Sequence, residues 1–155
     1  MKSSFIIVAD RGNLKAFRVE KVPNGRPPRL HLVQAFTVTA AHMKISDINT
    51  DLAGSFPVAS GGTSQGRHQN SIAEQHLDIE IDRRIVRQLA EHIDSVLKHE
   101  QPEAWSFAAP ATINRAILAE IDQGFAKSLA DNVQADLVKI APDGILDHFE
   151  AARAA

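Results

Sequence analysis

Phe5-Ile6-Ile7-Val8-Ala9-Asp10-Arg11-Gly12-Asn13 begins with five consecutive apolar residues and ends in a turn signal. An unbroken apolar, β-branched run of this length predicts a central strand buried on both faces, because an exposed face would alternate with polar residues. Asp10 to Asn13 then predicts a tight turn, with Gly and Asn suited to positive φ. Lys15 to Glu20 alternates and is expected as a second strand, antiparallel to the first. Pro23-Asn24-Gly25-Arg26-Pro27-Pro28 breaks the chain. Leu30 to Thr39 follows as a third strand, with Leu30, Leu32, Phe36 and Val38 expected on one face. The first forty residues thus read as a three-stranded meander.

The period changes further on. Leu77, Ile81, Ile85, Leu89, Ile93 and Val96/Leu97 recur every three or four residues, the stripe of an amphipathic helix. Its start is read either at Ser71, where Ser71-Ile72-Ala73-Glu74 forms a capping box, or at Asp78. Ala104 to Ala109 predicts a fourth, buried strand closed by Pro110. Thr112 is expected to cap the helix that carries Ile113, Ala116, Ile117 and Ile121. A further short helical stretch follows Asp122-Gln123-Gly124. Val133 to Ile140 is expected to hold a fifth strand, and Pro142-Asp143 to open a last helix reaching about Ala152. Strand–helix alternation in the second half implies right-handed parallel crossovers. The expected class is α/β: a mixed five-stranded sheet with helices on its faces, in the order βββαβαβα, with an extra short helix before the last strand. Residues 1–155 read as a single domain with a long loop at 40–70.

That loop ends in Gly61-Gly62-Thr63-Ser64-Gln65-Gly66-Arg67-His68-Gln69-Asn70, which has three glycines and no acidic or large apolar side chain. Such a segment builds no core. Glycine permits close backbone approach, while Gln65, Arg67 and His68 are suited to phosphates, bases or carboxylates. The same composition also describes a plain surface loop that uses glycine only to turn.

The net charge of −2 conceals an asymmetry. Residues 1–44 carry eight Lys/Arg against two acids, a net of +6, and the rest of the chain is −8. Arg11, Lys15 and Arg18 are candidates to extend a positive face toward an anionic partner. Cysteine is absent, so disulfides and thiolate metal sites are excluded. The N-terminal apolar run is too short for an export signal or a membrane span, so a cytoplasmic location without membrane contact is expected.

Zinc spacing is missing among the seven histidines, and no Gly-Lys-Ser/Thr follows Gly61-Gly62 as a phosphate-binding loop would require. No metal or cofactor is therefore expected. A nuclease metal site would need partner carboxylates for Asp10. Asp78, Glu80 and Asp82 are available, but their spacing reads better as a charged helix start.

Val8-Ala9-Asp10-Arg11-Gly12 with Ala16-Phe17, Gly66-Arg67-His68, Leu89-Ala90-Glu91-His92, Ala108-Ala109-Pro110, Arg115-Ala116-Ile117-Leu118 and Asp136-Leu137 occur in an order that resembles the bacterial proteins required for attachment to host cells. The order of elements, with a glycine-rich loop between the third strand and the long helix, is also similar to the middle domain of archaeal and eukaryotic peptide-chain release factors. That resemblance implies a ribonuclease-H-like α/β fold and the ribosome, ribosomal RNA or tRNA as partner. Gly61, Gly62, Gln65, Gly66, Arg67 and His68 would form the binding tip. It also makes Gln65 a catalytic candidate for peptidyl-tRNA hydrolysis. Thr63-Ser64 intervene between Gly61-Gly62 and Gln65, however. Two extra residues shift a tip by up to ~7 Å, too far for catalytic placement. Three readings stand: RNA binding first, a non-enzymatic protein-interaction module with an indirect role in attachment second, and hydrolysis of peptidyl-tRNA or RNA third.

Overall fold

The computed structural model describes residues 2–39 and 64–153, with the stretch 64–78 as backbone only. Five strands form one sheet: β1 (Phe5–Ala9), β2 (Asn13–Glu20), β3 (Arg29–Thr37), β4 (Trp105–Ala109) and β5 (Leu129–Gln134). Their spatial order is β3-β2-β1-β4-β5. The first three strands pair antiparallel, as a meander should, while β4 and β5 add to β1 in parallel. The mixed α/β sheet expected from the sequence is present. Its helices are α1 (Ser64–Glu100), α2 (Ala111–Glu120), α3 (Gln123–Ala126), α4 (Pro142–Leu146) and α5 (Glu150–Arg153).

The apolar run of β1 is buried along its whole length because both faces of the sheet are covered. Phe5, Ile7 and Ala9 meet α1 and α2 in one core, with Ile85, Leu89, Ile93, Leu97 and Ile117. Ile6 and Val8 face the other way, into a smaller core with Ile145, Leu146 and Phe149. β4 divides in the same manner, Trp105 and Phe107 facing the first core and Ala108 the second. Trp105 is fully buried, and its indole Nε1–H donates to the Phe125 carbonyl at 2.8 Å, so no polar group is stranded by that burial.

Several local expectations are corrected. The pairing of β2 with β3 slips between Ala16 and Phe17, leaving Val33 as an extra residue on β3. A one-residue bulge exchanges the two faces of a strand. Leu30 consequently packs on the second core while Phe36 and Val38 join the first, and Leu32 is 48% exposed. The four do not share a face.

The Asp10–Asn13 turn needs no positive φ. The Asp10 carboxylate instead accepts from the Gly12 and Asn13 amides, at 2.8 and 2.7 Å. Among the described residues, the positive φ values belong to Asn24, Gly25 and Gln101.

Pro110, not Thr112, occupies the cap of α2, and its carbonyl accepts from Ile113 and Asn114. β5 lies earlier than expected, and Leu137 and Val138 pack on the second core after the strand has ended. The last helix is interrupted, because the chain turns at Asp147 and His148 to bury Phe149 between α4 and α5.

Candidate functional site

α1 organises the candidate site. It runs for 37 residues, about 55 Å, from beyond the carboxyl end of β1 to its amino end. Both directions are fixed by ion pairs to β2 and its turn. Arg11, after β1, contacts Asp82 at the midpoint of α1, and Arg18 on β2 reaches Glu100 at its last residue, at 2.8 Å. The hydrogen bond to Glu100 holds the Arg18 guanidinium above its ordinary pKa. Among the described side chains, core packing on α1 is carried by residues from Ile81 to Leu97.

Gln65, Gly66, Arg67 and His68 are helical, contrary to the expectation of a loop through residue 70 and of a helix start at Ser71 or Asp78. They lie about four to five turns before Asp82. Gly61 and Gly62, with most of the expected loop, lie outside the described residues. The first turn of α1 contains no acidic residue.

The three candidate cations of the N-terminal third are not gathered on one surface. Arg18 faces the α1 side of the sheet. Lys15 faces the opposite side, where its Nζ donates to the Val138 carbonyl at 3.0 Å. Each is already held by a partner, which lowers its availability for a ligand.

The carboxylates weighed for a metal are also committed elsewhere. Asp10 closes its own turn, Asp82 contacts Arg11, and Glu80 lies 3.5 Å from Arg83. The side chain of Asp78 lies outside the described residues. Among the described residues, no group of three or more His, Asp or Glu side chains converges as a metal site.

Two features escape the sequence. A groove runs between α1 and α2, walled by Ile79, Val86 and Ala116, with Arg83, Arg87 and Thr112 at its rim. Its signal was the i, i+4 pair Arg83 and Arg87, but which side of α1 they occupy depends on where α2 packs. His92 is half-buried and stacks on Phe36, with ring centroids 4.0 Å apart and an 11° interplanar angle. Its Nε2 is buried without a hydrogen-bond partner, and burial pushes the imidazole pKa down. Nothing in the spacing of the histidines singles it out.

Comparison with known proteins gives a family match. The model of a family described as "Protein required for attachment to host cells" covers residues 5–149. The chain belongs to that family. No curated protein matches it. The host-attachment span takes in the Asp10 turn, Gln65 to His68, the α1–α2 groove and His92, and it ends at Phe149, before Arg153. Among the described residues, no helix is long and apolar enough to cross a membrane.

Proposed function

We propose that this host-attachment family member is a cytoplasmic domain related to the release-factor middle domain, and that it binds ribosomal RNA or tRNA through residues 61–70. The observation that carries the reading is the position of Gly66-Arg67-His68 at the start of α1, in a first turn free of acids. The unpaired amides of a helix start and the macrodipole both favour phosphate there, and Arg67 and His68 add cationic and hydrogen-bonding groups. Gln65 shares the same helical backbone, which favours a binding role over a hydrolytic tip.

Co-sedimentation with ribosomes at low and physiological salt tests this, with an Arg67→Ala/His68→Ala variant alongside. The expected result is co-sedimentation that weakens steeply with salt, because phosphate contacts release counterions, and that is lost in the variant. Absence of co-sedimentation at both salts overturns the reading.

A second reading, a protein-interaction module, is favoured by one observation. Ile79 is 49% exposed at the mouth of the α1–α2 groove. Salt-independent binding to a purified protein, abolished by Ile79→Asp, supports it.

A further inference from the structure

Pro23 to Pro28 breaks the chain after β2, and Lys21 and Val22 lead into that break. In the structure Lys21, Val22 and Gly25 to Pro28 form one wall of a cleft whose other wall is Arg153, the last residue of α5. Asn24 and Gly25, with φ of 68° and 69°, reverse the chain so that Lys21 and Arg26 both border the same concavity. Val22, Pro27 and Pro28 complete the lining, so three cations and no carboxylate surround the cleft. Its volume, about 360 Å³, lies at the small end of the range for small-molecule sites.

The pairing of charges distinguishes this cleft from the other three candidate cations of the N-terminal third. Arg11, Lys15 and Arg18 are each tied to an acid or a carbonyl. Among the described residues, Lys21, Arg26 and Arg153 have no such partner. The nearest acids in sequence do not supply one: Glu20 lies 4.0 Å from His31, and Glu150 forms no ion pair with Arg153 one turn later. Single unpaired cations on a helix surface are ordinary. Three around one concavity repel each other with nothing internal to offset them, and a bound anion relieves that repulsion. The low-dielectric walls of Val22, Pro27 and Pro28 strengthen the field within. Two guanidinium forks and an ammonium match the geometry of phosphate oxygens, which accept paired N–H donors. The Ser3 amide donates to the Ala151 carbonyl at 3.1 Å, which brings Lys2 to the same end of the molecule.

We infer that the Lys21–Arg26–Arg153 cleft is a binding site for a phosphate group. It lies at the amino end of β1, opposite the start of α1, so it is independent of the RNA reading above. The phosphate has two chemical sources, a small phosphorylated molecule or the backbone of a nucleic acid.

Isothermal titration calorimetry of the whole protein with inorganic pyrophosphate, and separately with a short single-stranded RNA, distinguishes them. Two variants run beside the wild type. One is Lys21→Gln/Arg26→Gln/Arg153→Gln. The other removes the same charge elsewhere, by Lys98→Gln/Lys127→Gln/Lys139→Gln. All six residues are exposed, so neither variant disturbs the core. Binding of pyrophosphate, weakened roughly tenfold or more in the cleft variant and kept in the control, is the expected result for a small ligand. RNA binding with the same pattern, and none of pyrophosphate, assigns the phosphate to a nucleic acid. No binding of either probe, equal loss in both variants, or binding that the cleft variant keeps overturns the inference. Ribosome co-sedimentation plays no part in this test, so its failure and that of the RNA reading are separable.

Discussion

A buried imidazole nitrogen without a partner makes His92 a titration point for stability. Burial lowers its folded pKa below the ordinary value near 6.5, so the unfolded chain binds the proton more readily. The stability that neutral His92 contributes is complete above about pH 6.5 and is lost as pH falls through the folded value. Urea unfolding between about pH 7.5 and 5 should show a falling midpoint. His92→Phe, which keeps a ring against Phe36, should flatten that slope, and an unchanged slope would remove His92 from the explanation. Asn114 presents the opposite case, a buried polar side chain that is fully engaged. It exchanges amide hydrogen bonds with Asn132 at 2.8 and 2.9 Å and also donates to the Val133 carbonyl at 3.2 Å, locking the first turn of α2 to β5. Asn114→Ala removes the pair with the exposed Asn132 and the donor to the Val133 carbonyl, and should cost about 1 kcal/mol by denaturant titration. A cost near zero would mean that water replaces the lock.

α1 offers the sharpest test among the elements, because its first turns carry the residues expected in a loop. Gly66 costs a helix interior up to about 1 kcal/mol relative to alanine. Gly66→Ala should therefore raise helical circular dichroism and the thermal midpoint if Ser64–Glu100 is helical throughout. A fall in both would return residues 64–70 to a loop that needs glycine. The same element shows what the sequence could and could not reveal. The stripe from Ile81 to Leu97 was legible because it repeats at the helical period and packs on the sheet. The start was not, since the polar residues before Leu77 carry no such stripe. β1 and β4 were legible as continuous apolar runs. β5 was expected too late in the chain because the polar side chains at its start are satisfied by neighbours. Asn132 pairs with Asn114, and the Asp131 carboxylate accepts from the Ala151 amide at 2.8 Å. The β3 faces were misread because one bulged residue leaves no mark in hydropathy.

Across the whole molecule, the sheet and α1 separate two cationic regions that the sequence presents as one excess of charge. Asp82 and Glu100, which pin α1 near the two ends of β1, are about 27 Å apart along the helix. Arg67 and His68 lie beyond the first of these, and the Lys21–Arg26–Arg153 cleft lies at the other end. The +6 excess of the first 44 residues could not foretell this division. Which cations are tied and which are free depends on partners 71 to 123 positions away, as with Arg11 and Asp82 or Lys15 and Val138. Sites this far apart with no shared partner should contribute independently, within about 0.5 kcal/mol. A chain combining Arg67→Ala/His68→Ala with Lys21→Gln/Arg26→Gln/Arg153→Gln should therefore lose RNA affinity by the product of the two separate losses. That product should hold within a factor of roughly two to three, whether the RNA touches one region or both. Affinity measured by titration at one fixed salt concentration decides the matter, since salt alone shifts both terms. A combined loss well beyond the product would mean that the two ends communicate through the fold.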